Sequence, residues 1–189
     1  MEGPRTDVDL KVAPLNVRIP VSWKLEQLGA TVAMLEGPAP SGDPTLQITV
    51  GVIEGMGSKR IEMMVTGAKA DSLLHPQHVQ VQGLRQVNGL NVFEKFVFGP
   101  PTSRTMSVAA DAPSTRPQRD SRAGTTAPST VPESGPVSWT RLVFVPSQST
   151  FLPCSFGITG MTPQQFAQDQ AFIRSILDTA HGNSDLDLP

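Results

Sequence analysis

Cys154, His75, His78 and Glu94 are the side chains of this chain whose types could do chemistry. A thiol next to an imidazole base makes an activated nucleophile, so Cys154 with His75 or His78 is the natural enzymatic pairing to test. Cys154, however, falls in the inward register of an apolar alternation, where a thiol reads as a buried structural group. His75 and His78 stand three apart and could offer two imidazoles to a metal. No cysteine, and no carboxylate at a telling spacing, completes a ligand set, and Pro76 between them argues for a turn. Glu94 would become a general-acid candidate if burial raised its pKa, but a strand-end or solvated position is the expectation. Gly55-Met56-Gly57-Ser58 lacks the spacing of a dinucleotide fingerprint or a P-loop and reads as a strand-to-helix turn. No catalytic, cofactor-binding or metal-ligating residue is assigned on this basis, and no cofactor is expected.

The elements that must position these groups are better marked. Two apolar runs, Val137 to Val145 and Phe151 to Ile158, form a hairpin, and Pro153 in the second run suggests an edge or a bulge. A helix follows. Thr162 can cap it, Pro163 suits its first position, Gln165 completes a capping box, and Phe166, Ile173, Leu177 and Ala180 form its apolar face. Earlier, Leu15, Val17, Ile19, Val21, Trp23 and Leu25 alternate with more polar residues as one long edge strand with one buried face, bent at Pro20. Trp23 is read there as a core side chain in preference to a stacking platform for a ligand. Thr31 to Leu35 and the alternation Leu46, Ile48, Val50, Val52 make two further strands. Ile61, Met64, Val65 and Ala68 then fall at helical spacing, predicting a helix from about Lys59 towards Leu74 with Ser58 as cap. Its paired methionines could line an adaptable binding surface, but filling the core against the sheet is the expectation. Val79 to Val87 and Leu90 to Phe98 flank Asn88-Gly89, the signature of a two-residue hairpin turn.

Composition excludes more than it proposes. A net charge of -2 gives no electrostatic footprint for nucleic acid or an anionic membrane. One cysteine rules out an internal disulfide framework and suits a reducing compartment. Met1 to Asp7 lacks the apolar run of a signal peptide, and no later segment approaches a membrane span, so the chain reads as cytoplasmic. From Gly99 to Pro136 there is no Leu, Ile, Phe or Trp and there are seven prolines, too little apolar surface to offset ordering entropy. That stretch is expected to be a disordered Pro/Ser/Thr-rich insertion, at about 100–136, within a single domain spanning 1–189 with its core at 15–180. Arg104, Arg116, Arg119 and Arg122 in it are nearly balanced by Asp111, Asp120 and Glu133. Ser107 and Thr125, each three residues after an arginine, match a basophilic kinase only by a short pattern.

The element order predicts an α+β fold: one antiparallel, mostly meander sheet of about six to seven strands covered by helices as an α/β/α sandwich. Ile19-Pro20-Val21-Ser22-Trp23, Val87-Asn88-Gly89-Leu90 and the closing Phe166-Ala167…Ile173-Arg174-Ser175-Ile176-Leu177 carry a resemblance to the PsbP-like superfamily. That superfamily joins the photosystem II PsbP protein, the Mog nuclear-import factor, DcrB-like lipoproteins and Eag-type chaperones. The resemblance spans most of residues 15–180 and implies the same sandwich. Its members mainly bind or scaffold other proteins and share no catalytic residues to carry over. The acidic N-terminal pattern with which the Mog branch engages its GTPase is not recognisable here. The resemblance and the missing catalytic set together point to a non-enzymatic protein-binding module or adaptor, of which a chaperone is one version. A small-ligand carrier or enzyme with a site assembled from distant strands, and a structural subunit of a larger assembly, are the alternatives. A protein partner is expected, without nucleic acid and without a membrane span.

Overall fold

The computed structural model describes residues 3–99, 135–147 and 150–182. The four strands of the meander form where the apolar patterning is strongest. Asn88 and Gly89 take positive φ (49° and 78°), as a two-residue turn matched to strand twist requires, and join β6 (Val79–Val87) to β7 (Leu90–Phe98). β7 pairs antiparallel with β8 (Val137–Ser147), and β8 with β9 (Thr150–Met161). β3 (Lys24–Gln27), β4 (Val32–Gly37) and β5 (Leu46–Val52) complete a seven-stranded sheet in the order β3-β4-β5-β9-β8-β7-β6. The fold is α+β with antiparallel pairing throughout.

The two faces of that sheet are covered differently. Helix α1 (Ser58–Leu74) packs Ile61 and Val65 on Phe93, Leu142 and Phe144. On the other face lie α2 (Pro163–Leu177) and a second sheet, in which β2 (Leu15–Pro20) is flanked by β1 (Arg5–Asp9) and β10 (His181–Gly182). Ile173, Ile176 and Leu177 of α2 and Leu15, Val17 and Ile19 of β2 share one core with Val92, Phe96, Trp139, Val143, Cys154, Phe156 and Ile158. The start of α2 follows its sequence signal. Thr162 Oγ1 accepts from Gln165 N (3.2 Å), and Thr162 N donates to Gln165 Oε1 (3.0 Å). Phe166 is half-buried, its ring edge-on to Phe96, Phe98 and Trp139.

Several expectations need correction. The long edge strand expected at 15–25 is two strands in different sheets, β2 central between β1 and β10 and β3 at an edge: Trp23 N donates to Pro20 O (2.8 Å), closing a turn that leaves Val21 exposed between them. Trp23 is nonetheless buried. Its indole reaches the core from the turn, donating Nε1–H to Pro38 O at 3.0 Å and meeting the Phe172 ring at 5.9 Å. Pro153 does not mark an edge, because β9 lies between β5 and β8. The carbonyl of Pro153 accepts from Ile53 N, so its nitrogen faces β5 as well, just beyond the last ladder pair Val52–Cys154. The missing N–H therefore falls where the pairing with β5 has ended. At α1 the cap residue is Gly57, without a side-chain bond, and Ser58 is already helical. The insertion expected at about 100–136 lies, for residues 100–134, outside the described residues. The strands on either side of it pair directly, Phe98 opposite Val137.

Candidate functional site

The sequence candidates do not converge. Cys154 is fully buried mid-strand between Val52 and Val143, while His75 and His78 stand exposed where α1 turns into β6. His78 Nδ1 lies 3.3 Å from Phe98 O, and His75 N closes the helix end on Asp71 O. Among the described residues no three His, Cys, Asp or Glu side chains gather in a metal-holding group. Burial pushes the Cys154 thiol up to about 12. A thiol so placed is expected to resist alkylation in the native protein at about pH 8 and to react once unfolded; rapid native labelling, followed by mass spectrometry, would contradict its burial. Gly55 to Ser58 form a plain strand-to-helix turn, with Met56 and Phe151 exchanging backbone bonds of 2.8 Å. Arg104, Arg116, Arg119, Arg122, Ser107 and Thr125 lie outside the described residues.

Glu94 overturns its expectation. It sits mid-strand in β7, fully buried, because Val92 and Phe96 on the same face carry it under α2. Directly across the ladder is Arg141 of β8, also fully buried. Glu94 Oε1 lies 3.5 Å from Arg141 Nη1 and 3.6 Å from Arg85 Nη2, and Oε2 accepts from Arg174 Nη2 at 3.1 Å. With its amide turned to satisfy both neighbours, Gln82 donates to Glu94 Oε2 (2.8 Å) and accepts from Arg174 (3.3 Å). Asp178, just past the end of α2, accepts from Arg141 (2.5 Å) and Arg85 (3.1 Å). Asn88 Nδ2 donates to the Asp178 and Ala180 carbonyls, tying the β6–β7 turn to the same helix end. Arg174 also lies over the Trp139 ring, 5.6 Å from its centroid.

Three guanidinium groups thus share two carboxylates between the sheet and α2. Burial holds the Arg141 pKa below its ordinary value, opposed by the hydrogen bond and charge of Asp178 and by the charge of Glu94. Lys95 points to the opposite face, as alternation requires, and pairs with Asp71 of α1 at 3.1 Å. These ion pairs lock α2 to the sheet, although Glu94 Oε1, Arg141 Nε and Nη1 and Arg174 Nε are buried without a hydrogen-bond partner. The inward placement of Arg141 between Trp139 and Val143 was a usable sequence signal. Asp169 does similar work midway along α2, fully buried and accepting from Ser41 N (2.8 Å) and Oγ (2.6 Å).

Among the described residues a cleft of about 470 Å³ lies beside Arg18, Asn88, Asp178, Thr179 and His181, and two others have more apolar linings. One, of about 550 Å³, lies among Pro20, Trp23, Pro38, Pro40 and Phe172, with Arg5 at its rim. The Arg5 guanidinium is engaged there by Ser175 O and Oγ (both 2.7 Å), and the Trp23 indole N–H by Pro38 O. The other, of about 420 Å³, opens between α1 and the sheet. Its floor is Ile61, Val65, Leu84, Phe144 and Phe151, and its rim is Ser58, Glu62, Thr66, Lys69 and Asn91. The edge strand β6 carries a bulge between Gln82 and Arg85, and Leu84 within it stays 46% exposed.

No family model matches the chain, and no curated protein matches it. Among solved structures it is similar to the Saccharomyces cerevisiae Ran-binding protein Mog1p, at 9% identity and a TM-score of 0.47, over 96% of this chain and 97% of that one. A point mutant of protein Mog1 gives 10% identity, the same score and the same coverage. A protein of Bacteroides thetaiotaomicron VPI-5482 gives 11% identity and a TM-score of 0.41, over 98% of this chain and 50% of that one. This chain therefore spans half the length of the Bacteroides protein and nearly all of Mog1p. The likeness is one of outline. Among the described residues no helix is long and apolar enough to cross a membrane.

Proposed function

We propose that this chain is a non-enzymatic protein-binding module that grips a large apolar side chain of a partner segment in the cleft beside α1. The observation that supports this reading is the composition of that cleft: an aliphatic and aromatic floor inside a polar rim, the make-up of an anchor pocket at a protein interface. Glu62 and Lys69 stand exposed on the rim, where they can pair with charges flanking the anchor without losing their own hydration. The candidate nucleophile and bases lie apart from this cleft and from one another, which favours binding over catalysis. Leu84 supplies the direct test because it borders the cleft and is already half in water, so Leu84→Glu alters the pocket while sparing the core. With the full chain as bait in extract of its native cell, Leu84→Glu is expected to lose a partner by about 30-fold or more in affinity. Leu28→Glu, at an exposed position between β3 and β4, should keep it. Identical captured proteins from both variants and the parent chain would sink the reading.

A further inference from the structure

The outward side of α1 is a second surface, independent of the cleft. Met63, Gly67, Ala70 and Leu74 fall at i, i+4, i+7 and i+11, turned away from the sheet-facing Ile61 and Val65. Met63 is 67% exposed, Leu74 75% and the neighbouring Leu73 83%, the three most exposed large apolar side chains among the described residues. Read in either direction along the helix the order is the same: large apolar, small, small, large apolar. The charges at the helix ends are set against its own dipole. The first turn holds Lys59 and Arg60 and no acid, Gly57 offers no side-chain cap, and the last turn holds no base. At the far end the Ser72 carbonyl has no i+4 donor, because that residue is Pro76.

We propose that the occupant of this face is a second copy of the chain, with α1 lying antiparallel on α1 about a two-fold axis that passes between Gly67 and Ala70. In that register Met63 packs against Leu74 of the partner subunit, and Gly67 lies opposite Ala70 of the partner subunit. The small residues at the crossing let the helix axes approach closely, and the flanking Met and Leu fill the two ends of the contact. Antiparallel alignment also supplies the missing charge complementarity. The dipoles oppose one another, and Lys59 and Arg60 of each copy come beside the unsatisfied C-terminal carbonyls of the other α1. A parallel arrangement would instead bring the two basic ends together.

Sedimentation velocity on the full chain, in a dilution series from about 100 µM, is expected to show a dimer that dissociates as it is diluted. Ala70→Glu, at an exposed position, should leave the melting temperature near that of the parent chain and weaken association more than tenfold. The double variant Met63→Cys/Leu74→Cys should form a disulfide-linked dimer on mild oxidation, while each single variant cross-links poorly; Cys154 is buried and does not compete. A chain that is monomeric at the highest concentration, a dimer indifferent to Ala70→Glu, or single-cysteine variants that cross-link as well as the double variant would each overturn the proposal. None of these outcomes touches the cleft reading, which Leu84→Glu tests separately.

Discussion

Glu94→Gln is expected to lower unfolding free energy by about 3–5 kcal/mol, on the order of 10 °C in melting temperature, although the two side chains have nearly the same volume. No cavity forms, so the effect isolates the charge. In the folded chain the carboxylate of Glu94 stands among Arg85, Arg141 and Arg174, and its removal leaves Arg85 and Arg141 to share Asp178, and Arg174 without a carboxylate. Arg141 is fully buried and cannot turn to water, and burial already disfavours its charged form. Stranding that charge is the dominant cost. Arg174 keeps 29% of its side chain exposed, so Arg174→Gln is expected to cost clearly less. Pairing Glu94→Leu with Arg141→Met removes both buried charges at once and is expected to recover much of the loss, because a well-packed apolar pair avoids the desolvation penalty. Urea denaturation with linear extrapolation checks all of these. A loss under about 1 kcal/mol for Glu94→Gln would mean that solvent reaches the cluster.

How legible this was in the sequence depended on how local each cause is. The Asn88-Gly89 turn and the Thr162 capping box act over four residues or fewer and formed as read. The alternation around Ile48 buries one face and was equally plain, whereas β7 and β8 are covered on both sides, Val92 and Val143 in one core and Phe93, Leu142 and Phe144 under α1. β1 escaped because Arg5 to Asp9 contains one apolar residue, Val8, so no period shows, and its pairing with β2 is made by backbone bonds. The split at Pro20 escaped because Val21 and Trp23 continue a period of two for unrelated reasons, one exposed in a turn and the other folded back on Pro38. The charged cluster needs knowledge that β7 and β8 pair with Glu94 opposite Arg141, two positions separated in the chain by the whole 100–134 stretch. Once a β7–β8 pairing is assumed, two opposite charges at inward positions of neighbouring strands become a visible signal. The cleft beside α1 had no such signal, since it depends on where the helix lies across the sheet.

Trp23→Ala is expected to cost about 3–5 kcal/mol, and Gly37→Ala about 1–3 kcal/mol, with the double variant costing no more than Trp23→Ala alone. A Cβ built on Gly37 would overlap Trp23 Cδ1 and Cγ, well inside contact distance. The indole lies flat on the end of β4, held by its bond to Pro38 O on one side and the Phe172 ring on the other. Alanine at position 37 must therefore push the ring outwards, stretching that hydrogen bond and loosening the link from the β2–β3 turn to α2. Removing the indole instead empties its site, and the added methyl of Gly37→Ala then projects into vacated space. Two positions in direct contact should behave non-additively, with a coupling of about 1–3 kcal/mol in the favourable sense. Urea denaturation of the parent chain, both single variants and the double variant closes the cycle. Strictly additive losses would show that the added methyl and the Trp23 ring do not compete for the same space.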